Sequence, residues 1–379
     1  MPFYYGLKRF RKPEKRNYII DRLLRLKKQL DDEIPDKQME DNLLLGTWNI
    51  RDFGKTNRRG FGGRTSDSFY YIAEIISRFD IVALQEVNEI DELKRVMRLL
   101  GPSWDFIASD ITDSRLGGNG ERMTFVYDTR KVLFRNIAGE VVLPNKLLIS
   151  KAEYEIEKVV DGKKKLIKVK DGKQFRRTPY LVSFQSGWFK FNLCTVHIYY
   201  GQGKSGMNQR VQEIRSIGDY LYRVAQNEMK SSVKTRRSST ILLGDFNIMH
   251  PEHDTMQALL DSGFEVPEPL RKKTNLLKNK YYDQIAFLSE PEVTKYVEDN
   301  PETSAGVFDI TKSVFRKNND SDIEFYKADM LKSSNGKKNK DDLKKYYNTW
   351  RTYQMSDHNL LWTRLKTNDS VDYLKGIKI

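Results

Sequence analysis

Thr240-Ile241-Leu242-Leu243-Gly244-Asp245-Phe246-Asn247 is the stretch from which the fold of this chain is read. An apolar, β-branched run ends in a glycine, and a carboxylate and an amide follow at alternate positions. That order predicts a buried strand whose end presents Asp245 and Asn247 in one direction. Three further strings do the same: Thr47-Trp48-Asn49, Leu84-Gln85-Glu86-Val87 and Ser356-Asp357-His358. Each brings a carboxylate, amide or imidazole to the end of an expected strand. One such string alone would be a turn or a strand cap; four in this order, over most of the chain, point to one shared site.

Working outward, strands are expected over Leu43–Trp48, Ile81–Leu84, Thr124–Tyr127, Leu181–Phe184, Phe191–Val196, Thr240–Leu243, Gln284–Phe287 and Leu360–Thr363. Helical spacing separates some of them, at Ser68–Phe79, Ile90–Leu100, Asn208–Ala225 and Thr255–Ser262. This mixture predicts a sheet-based α/β or α+β domain. Residues 1–41 read as a basic N-terminal helical arm: Tyr18, Ile19, Leu23, Leu26 and Leu30 recur near helical spacing, and Pro35 closes the helix. The catalytic domain is then 42–379. Two stretches in it look inserted. Residues 145–173 are Lys-rich, with Asp-Gly turns and an alternating Lys163–Lys170, the pattern of an extended hairpin. Residues 290–346 are polar, and Ser333–Lys340 near their end reads as a mobile loop.

At 379 residues with 39% hydrophobic content the chain can bury a real core, and 31% charged residues give a net charge of +14. So basic a chain is drawn to polyanions, nucleic acid first and acidic membrane second. A single cysteine, Cys194, excludes an internal disulfide framework and is expected inside a strand. No apolar leader and no membrane-length apolar run are found, so a cytoplasmic protein is expected.

The residue types at the four strings suit phosphodiester hydrolysis. That reaction needs a cation against the developing charge, a base for the attacking water and help for the leaving oxygen. Glu86, Asp245, Asn247 and Asp357 supply oxygens suited to Mg²⁺ or Mn²⁺. His197 and His358, two of only four histidines, titrate near neutral pH. His250 and His253 have a spacing that zinc could use, but no cysteine or further histidine supports a closed site; they are expected in the loop after the Asp245 strand.

Taken together, the strings resemble the endonuclease/exonuclease/phosphatase superfamily over roughly Leu43 to Leu365. Three more segments match it: Asn119–Asp128 with Glu121, Arg177-Thr178-Pro179 before Leu181–Phe184, and Thr274 followed by Tyr282-Asp283-Gln284-Ile285. The resemblance implies a DNase I-like four-layer αββα sandwich, here with a basic helical arm and inserted loops. It implies that Glu86 binds the divalent metal, with Asn49, Asp357 and Asp245 on the metal side. Asp245 would orient the nucleophile, and Asn247, Asn49 and Arg177 would contact the phosphate. His358, oriented by Asp283, would act as base or phosphate contact, and His197, paired with Glu121, would serve the leaving oxygen. Net charge, and the basic Lys55–Arg64 tract after Asn49, favour a DNA endonuclease, in repair or anti-phage restriction, whose arm could dock a protein partner. The alternatives are an intracellular phosphoinositide or other phosphate-ester hydrolase, and a non-catalytic nucleic-acid-binding module.

Overall fold

The computed structural model describes residues 1–55, 59–111, 120–144, 147–160, 163–230, 238–288, 304–368 and 370–378. Two six-stranded mixed sheets stack face to face. The first runs, in spatial order, β13 (Ala305–Phe308), β14 (Leu360–Lys366), β1 (Asn42–Phe53), β2 (Ile81–Val87), β4 (Arg122–Asp128), β3 (Trp104–Ala108). The second runs β11 (Phe264–Glu265), β12 (Asp283–Leu288), β10 (Ser239–Asp245), β9 (Phe189–His197), β8 (Tyr180–Ser186), β5 (Leu133–Glu140). All eight strands expected from sequence are present. The short or polar strands β3, β5, β11 and β13 were not legible, because they take their pairing from neighbours rather than from an apolar run.

Strand alternation builds the layers. Leu43, Leu45, Ile81, Ala83, Phe125 and Leu361 of the first sheet meet Phe184, Phe191, Leu193 and Ile241 of the second in one buried cluster. Phe125 and Phe184 pack edge to face with centroids 5.6 Å apart. That cluster also takes in Cys194, Val196 and Leu242 with Ile214, Ile217 and Leu221 of α4 (Gly203–Lys230) and Leu259 of α5 (Asp254–Asp261). The opposite face of the first sheet, with Leu44, Trp48, Val82, Leu84 and Trp362, is covered by α1 (Pro13–Glu33), α2 (Ser66–Ser77) and α3 (Ile90–Leu100). The result is a four-layer αββα sandwich, as the sequence resemblance implies. Each fully buried Leu, Ile or Phe contributes about 1.5–3 kcal/mol, so both layers are needed.

The helix of the N-terminal segment forms, starting at Pro13 and ending before Pro35. Its apolar stripe does not project. Ile19, Leu23, Leu26 and Leu30 are buried against the same layer as α2, and Lys27 pairs with Glu74 at 3.1 Å. The face of α1 left to solvent is of mixed charge, with Glu14, Asp21, Asp31 and Asp32 beside Arg25 and Lys28, and Arg22 is buried. Among the described residues no helix is long and apolar enough to cross a membrane.

The Lys-rich insert is an antiparallel hairpin, β6 (Ile149–Val160) with β7 (Lys163–Lys173), as its alternation predicts. Residues 145–146 and the Asp161-Gly162 turn lie outside the described residues, as do 56–58 of the basic tract after Asn49, Asn119 and 290–303 of the second insert. The expectation of a loop over Ser333–Lys340 is corrected. α6 (Asp320–Lys332), α7 (Ser334–Lys338) and α8 (Leu343–Gln354) form a helical unit there. The Ser333 hydroxyl accepts from Gly336 N at 3.0 Å, donates to Met330 O at 2.7 Å and meets Tyr346 Oη at 2.7 Å. Phe315, Tyr326, Tyr347 and Trp350 bury the unit against the first sheet. The polar residues that suggested a loop cover only its outer face.

Pairing directions decide where the chemistry sits. β1 is parallel to β2, and β9 to β10; β14, β4, β8 and β12 run antiparallel to those neighbours. The ends of the first four strands and the starts of the other four therefore lie at one edge, where such sheets form their clefts.

Candidate active site

Register brings the first three groups together. On adjacent strands, Asp245 is the partner of His197 on β9 and of Asp283 on β12. From the facing sheet, the Asn49 amide donates to Glu86 Oε1 and to Asp245 Oδ2, both at 3.0 Å. Asn49 is thus one tie between the two sheets at this edge, and its Oδ1 accepts from Arg51 N at 3.0 Å. Glu86 Oε2 accepts from Asp52 N at 2.8 Å.

Local backbone geometry aims these groups. Simple alternation would turn Glu86 to the face of Leu84, under the helices. Instead β2 bulges between Leu84 and Val87, and Glu86 has φ of 62°. Asn247 has φ of 54°, and Arg51 and Asp52 both 46°. Left-handed backbone at non-glycine residues costs on the order of 1–3 kcal/mol each and gathers at functional sites. At Gly244, φ is 131° and a Cβ would collide with the Val196 carbonyl, so this position demands glycine.

Two histidine–carboxylate pairs flank Asp245. His358 Nδ1 lies 2.8 Å from Asp283 Oδ2, and its Nε2 lies 3.8 Å from Asp245 Oδ2. His197 Nδ1 lies 2.8 Å from Glu121 Oε1, and its Nε2 lies 3.5 Å from Asp245 Oδ2 and 3.9 Å from Glu86 Oε1. Each pair joins the two sheets, in opposite senses. His197 belongs to the second sheet and Glu121 to the first, while His358 precedes β14 of the first and Asp283 begins β12 of the second. Behind them, Asp283 N donates to Thr274 Oγ1 at 3.0 Å, Arg177 contacts Glu121, and His358 N donates to Ser356 Oγ at 2.9 Å. Ser356 Oγ donates in turn to the Asn49 carbonyl at 2.6 Å.

Burial works against charge here, and neighbours decide the outcome. For His358, burial lowers basicity but Asp283 and Asp245 more than offset it, and the imidazole is held well above its ordinary range. His197 is raised too: burial and Arg177 oppose the charge, and Glu121 and Asp245 outweigh them. Burial pushes the Glu86 carboxyl up, with His197 opposing. The site thus favours the charged form of both imidazoles and disfavours that of the Glu86 carboxyl, which gains from a nearby cation.

The cleft over these groups has a volume of about 340 Å³. It is lined by Asn49, Glu86, Glu121, Arg177, His197, Asp245, Asn247, Asp357 and His358. Asp283 lies beneath it, fully buried behind His358. Asp357 stands apart from the other carboxylates: it is half-exposed and ion-paired with Arg51 at 2.9 Å. The Asn247 amide donates to Ile198 O at 2.8 Å, and Arg210 holds the Asn247 carbonyl at 2.7 Å.

Arg51, Tyr200, Tyr282 and Tyr353 also line the cleft and were not singled out from sequence. Tyr282 stacks on His358 with centroids 5.4 Å apart. It sits beside Asp283 in the quoted string, which is the signal that was there to use. Arg51, two residues after Asn49, lies over the Tyr353 ring at 4.0 Å; nothing in the sequence joins it to a residue 302 positions on. Arg64 corrects an expectation. It belongs to the tract read as facing a polyanion, but it is buried and donates to the carbonyls of Ile50 and Arg51 at 2.6 and 2.8 Å. His250 and His253 lie in the turn before α5, as expected; His253 Nδ1 meets Thr255 Oγ1 at 2.9 Å.

Two mixed sheets stacked face to face and flanked by helices, with this site at one edge, form the sandwich that the sequence resemblance implies. The chain is 24% identical over 227 residues to a deoxyribonuclease of Thioalkalivibrio sp. (strain K90mix), covering 58% of this chain. The match spans 50% of that relative's length. Among solved structures it is similar to an endonuclease/exonuclease/phosphatase family protein from Bacteroides thetaiotaomicron, with TM-score 0.48, 15% identity, 87% of this chain and 97% of that one. It is also similar to the mannosyl-6-phosphatase Bt3783 of B. thetaiotaomicron VPI-5482, with TM-score 0.46, 16% identity, 85% of this chain and 99% of that one. No protein-family model matches the chain.

Proposed function

We propose that the chain is a divalent-metal-dependent phosphodiesterase that cuts DNA internally, by in-line attack of water on the phosphodiester. One observation carries the reading. Two imidazoles, each oriented by a carboxylate at Nδ1, hold Nε2 at 3.5 and 3.8 Å from the same Asp245 oxygen. A phosphate lodged against them would meet one imidazole at a phosphoryl oxygen and the other at the departing oxygen, with Asp245 beside the attacking water.

The donor set fits a hard cation. Glu86, Glu121 and His197 offer ligand atoms within 4.8 Å of one another, and so do Asp245, Asp283 and His358. Carboxylate oxygens dominate, which suits Mg²⁺ or Mn²⁺. Glu86, lodged by Asn49 and the Asp52 amide, is the residue we assign to hold it, with Asp245 facing the same space. A bound cation would supply charge neutralisation at the phosphate.

The chain's own groups do the rest. His358, cationic at neutral pH, donates Nε2–H to a phosphoryl oxygen. Asp245 Oδ2 accepts from the attacking water and orients it. Asn247 has a second amide hydrogen for a phosphoryl oxygen. His197 gives its Nε2 proton to the departing oxygen, with Glu121 stabilising the imidazolium before that transfer. Arg177, held on Glu121, adds positive charge at the cleft wall.

DNA is favoured by the net charge of +14, by Arg51, Lys55 and Arg59 on the cleft wall, and by similarity to a deoxyribonuclease. The test is supercoiled plasmid incubated with Mg²⁺, with Mn²⁺ and with EDTA, alongside His358→Ala. Metal-dependent conversion to open-circle or linear DNA, lost in the variant, is expected. Intact plasmid in every lane would refute the DNA reading and turn attention to RNA or a phosphorylated head group.

A further inference from the structure

The turn Arg59-Gly60-Phe61-Gly62 sits on the cleft rim and is fastened there by the helical unit formed by α6, α7 and α8. Asn335 N donates to Gly60 O at 3.1 Å, and Asn335 Nδ2 donates to the Arg59 carbonyl at 2.6 Å. Ser334 Oγ reaches Gly60 O at 3.4 Å. Phe61 is stacked on Tyr353 with centroids 4.1 Å apart and 12° between planes, and on Tyr346 at 5.8 Å and 6°. Gly60 has φ of 80°, and a Cβ there would lie 2.7 Å from Ser334 Oγ and 2.9 Å from Asn335 Oδ1. The turn is therefore shaped to its support: Gly60 takes left-handed backbone that favours glycine, and a side chain there would press on those of Ser334 and Asn335.

What this support holds is the Arg59 side chain. It lines the cleft and has no ion-pair partner among the described residues. Its neighbours on the rim are already engaged: Lys55 pairs with Asp52 at 3.1 Å, and Arg51 with Asp357 at 2.9 Å. A fixed backbone, a clamped aromatic anchor and a free guanidinium at the edge of a phosphate-directed cleft suit the recognition of a second anion. Arg59 stands on this braced turn and not on the strand ends that carry Glu86, His197 and Asp245, so the phosphate assigned to it is a second one, beyond the one being cleaved.

We propose that Arg59 is a distal phosphate-binding residue for a nucleic-acid strand running out of the cleft, and that Asn335 and Phe61 are its positioning residues. The helical unit then serves as a scaffold that extends the site from one phosphodiester to a polymer. The inference rests on the reading of the substrate as nucleic acid, but not on turnover.

The test is binding, read by fluorescence anisotropy with a labelled DNA duplex in EDTA, so that cleavage is off. Affinity is followed against salt concentration for the wild type, Arg59→Ala, Arg59→Lys and Asn335→Ala. Each phosphate contact adds about 0.9 to the slope of log K against log salt. Arg59→Ala is expected to lower that slope by about 0.9 and Arg59→Lys to retain it. Asn335→Ala is expected to weaken binding although net charge is unchanged. An unaltered slope in Arg59→Ala overturns the subsite, and unaltered affinity in Asn335→Ala overturns the positioning role. Plasmid left intact while Arg59→Ala still lowers the slope would sink the endonuclease reading and leave the subsite standing.

Discussion

The pairs His358–Asp283 and His197–Glu121 are alike in geometry and unlike in what backs them. Each has an Nδ1-to-carboxylate distance of 2.8 Å and an Nε2 aimed at Asp245. Asp283 is fully buried, pairs with no cation besides His358 among the described residues, and its backbone N–H donates to a neutral hydroxyl, that of Thr274. Glu121 shares its charge with Arg177. The difference shows in the titration. His358 is held well above its ordinary range, whereas His197, with Arg177 working against it, is raised less decisively. One fold edge thus raises two imidazoles with carboxylate partners, one of them against an opposing arginine.

Removing what the two pairs share should break the comparison most severely. Asp245→Ala is expected to cut turnover at or beyond the upper end of the roughly 10²–10⁴-fold that positioned proton transfer contributes. His358→Ala and His197→Ala should each fall within that range. Circular dichroism should remain native and DNA affinity should largely survive. Near-normal turnover in any of the three would sink the site assignment.

Next come the orienting carboxylates. Asp283→Asn removes an anion that raises His358, so the His358 pKa should fall, read from the ring proton shifts by NMR. Glu121→Gln should lower His197 further still, because it also leaves the opposing Arg177 charge without its carboxylate. Equal shifts in the two variants would show that Arg177 does not separate the pairs.

The pH dependence of stability follows from the same shifts. A histidine whose folded pKa is raised stabilises fully below about 6.5 and loses that contribution as pH rises through the folded value. Glu86, raised by burial, acts in the same sense from about 4.3 upward. Metal-free protein should therefore lose melting temperature between about pH 5 and 8. Mg²⁺ at a hundredfold excess over its Kd should restore about 2.7 kcal/mol, more visibly at the alkaline end. A melting curve indifferent to both pH and Mg²⁺ would contradict the charge assignment.

The smallest expected effect tests how rigid the backing must be. Thr274→Val deletes the hydroxyl beneath Asp283 and should cost about 1 kcal/mol of stability. Its effect on turnover should be far below that of Asp283→Asn. A loss as large as that of Asp283→Asn would mean that Thr274, not the carboxylate, sets the His358 geometry.

The sequence by itself determined the eight apolar strands, the helices α1 to α5, the β6–β7 hairpin and the grouping of polar residues at strand ends. These are local properties: alternation, helical spacing and a glycine before a carboxylate are written in adjacent residues. Tertiary structure alone decided the rest. It decided that Glu86 turns into the cleft through a bulge, that Asp357 is occupied by Arg51, and that Arg64 is buried while Arg59 is not. It also decided that a polar, loop-like stretch folds into helices that brace the rim. Each depends on partners far away in the chain, Asn49 with Asp245 or Phe61 with Tyr353. No local pattern encodes which distant surface will satisfy a hydrogen bond or cover a ring.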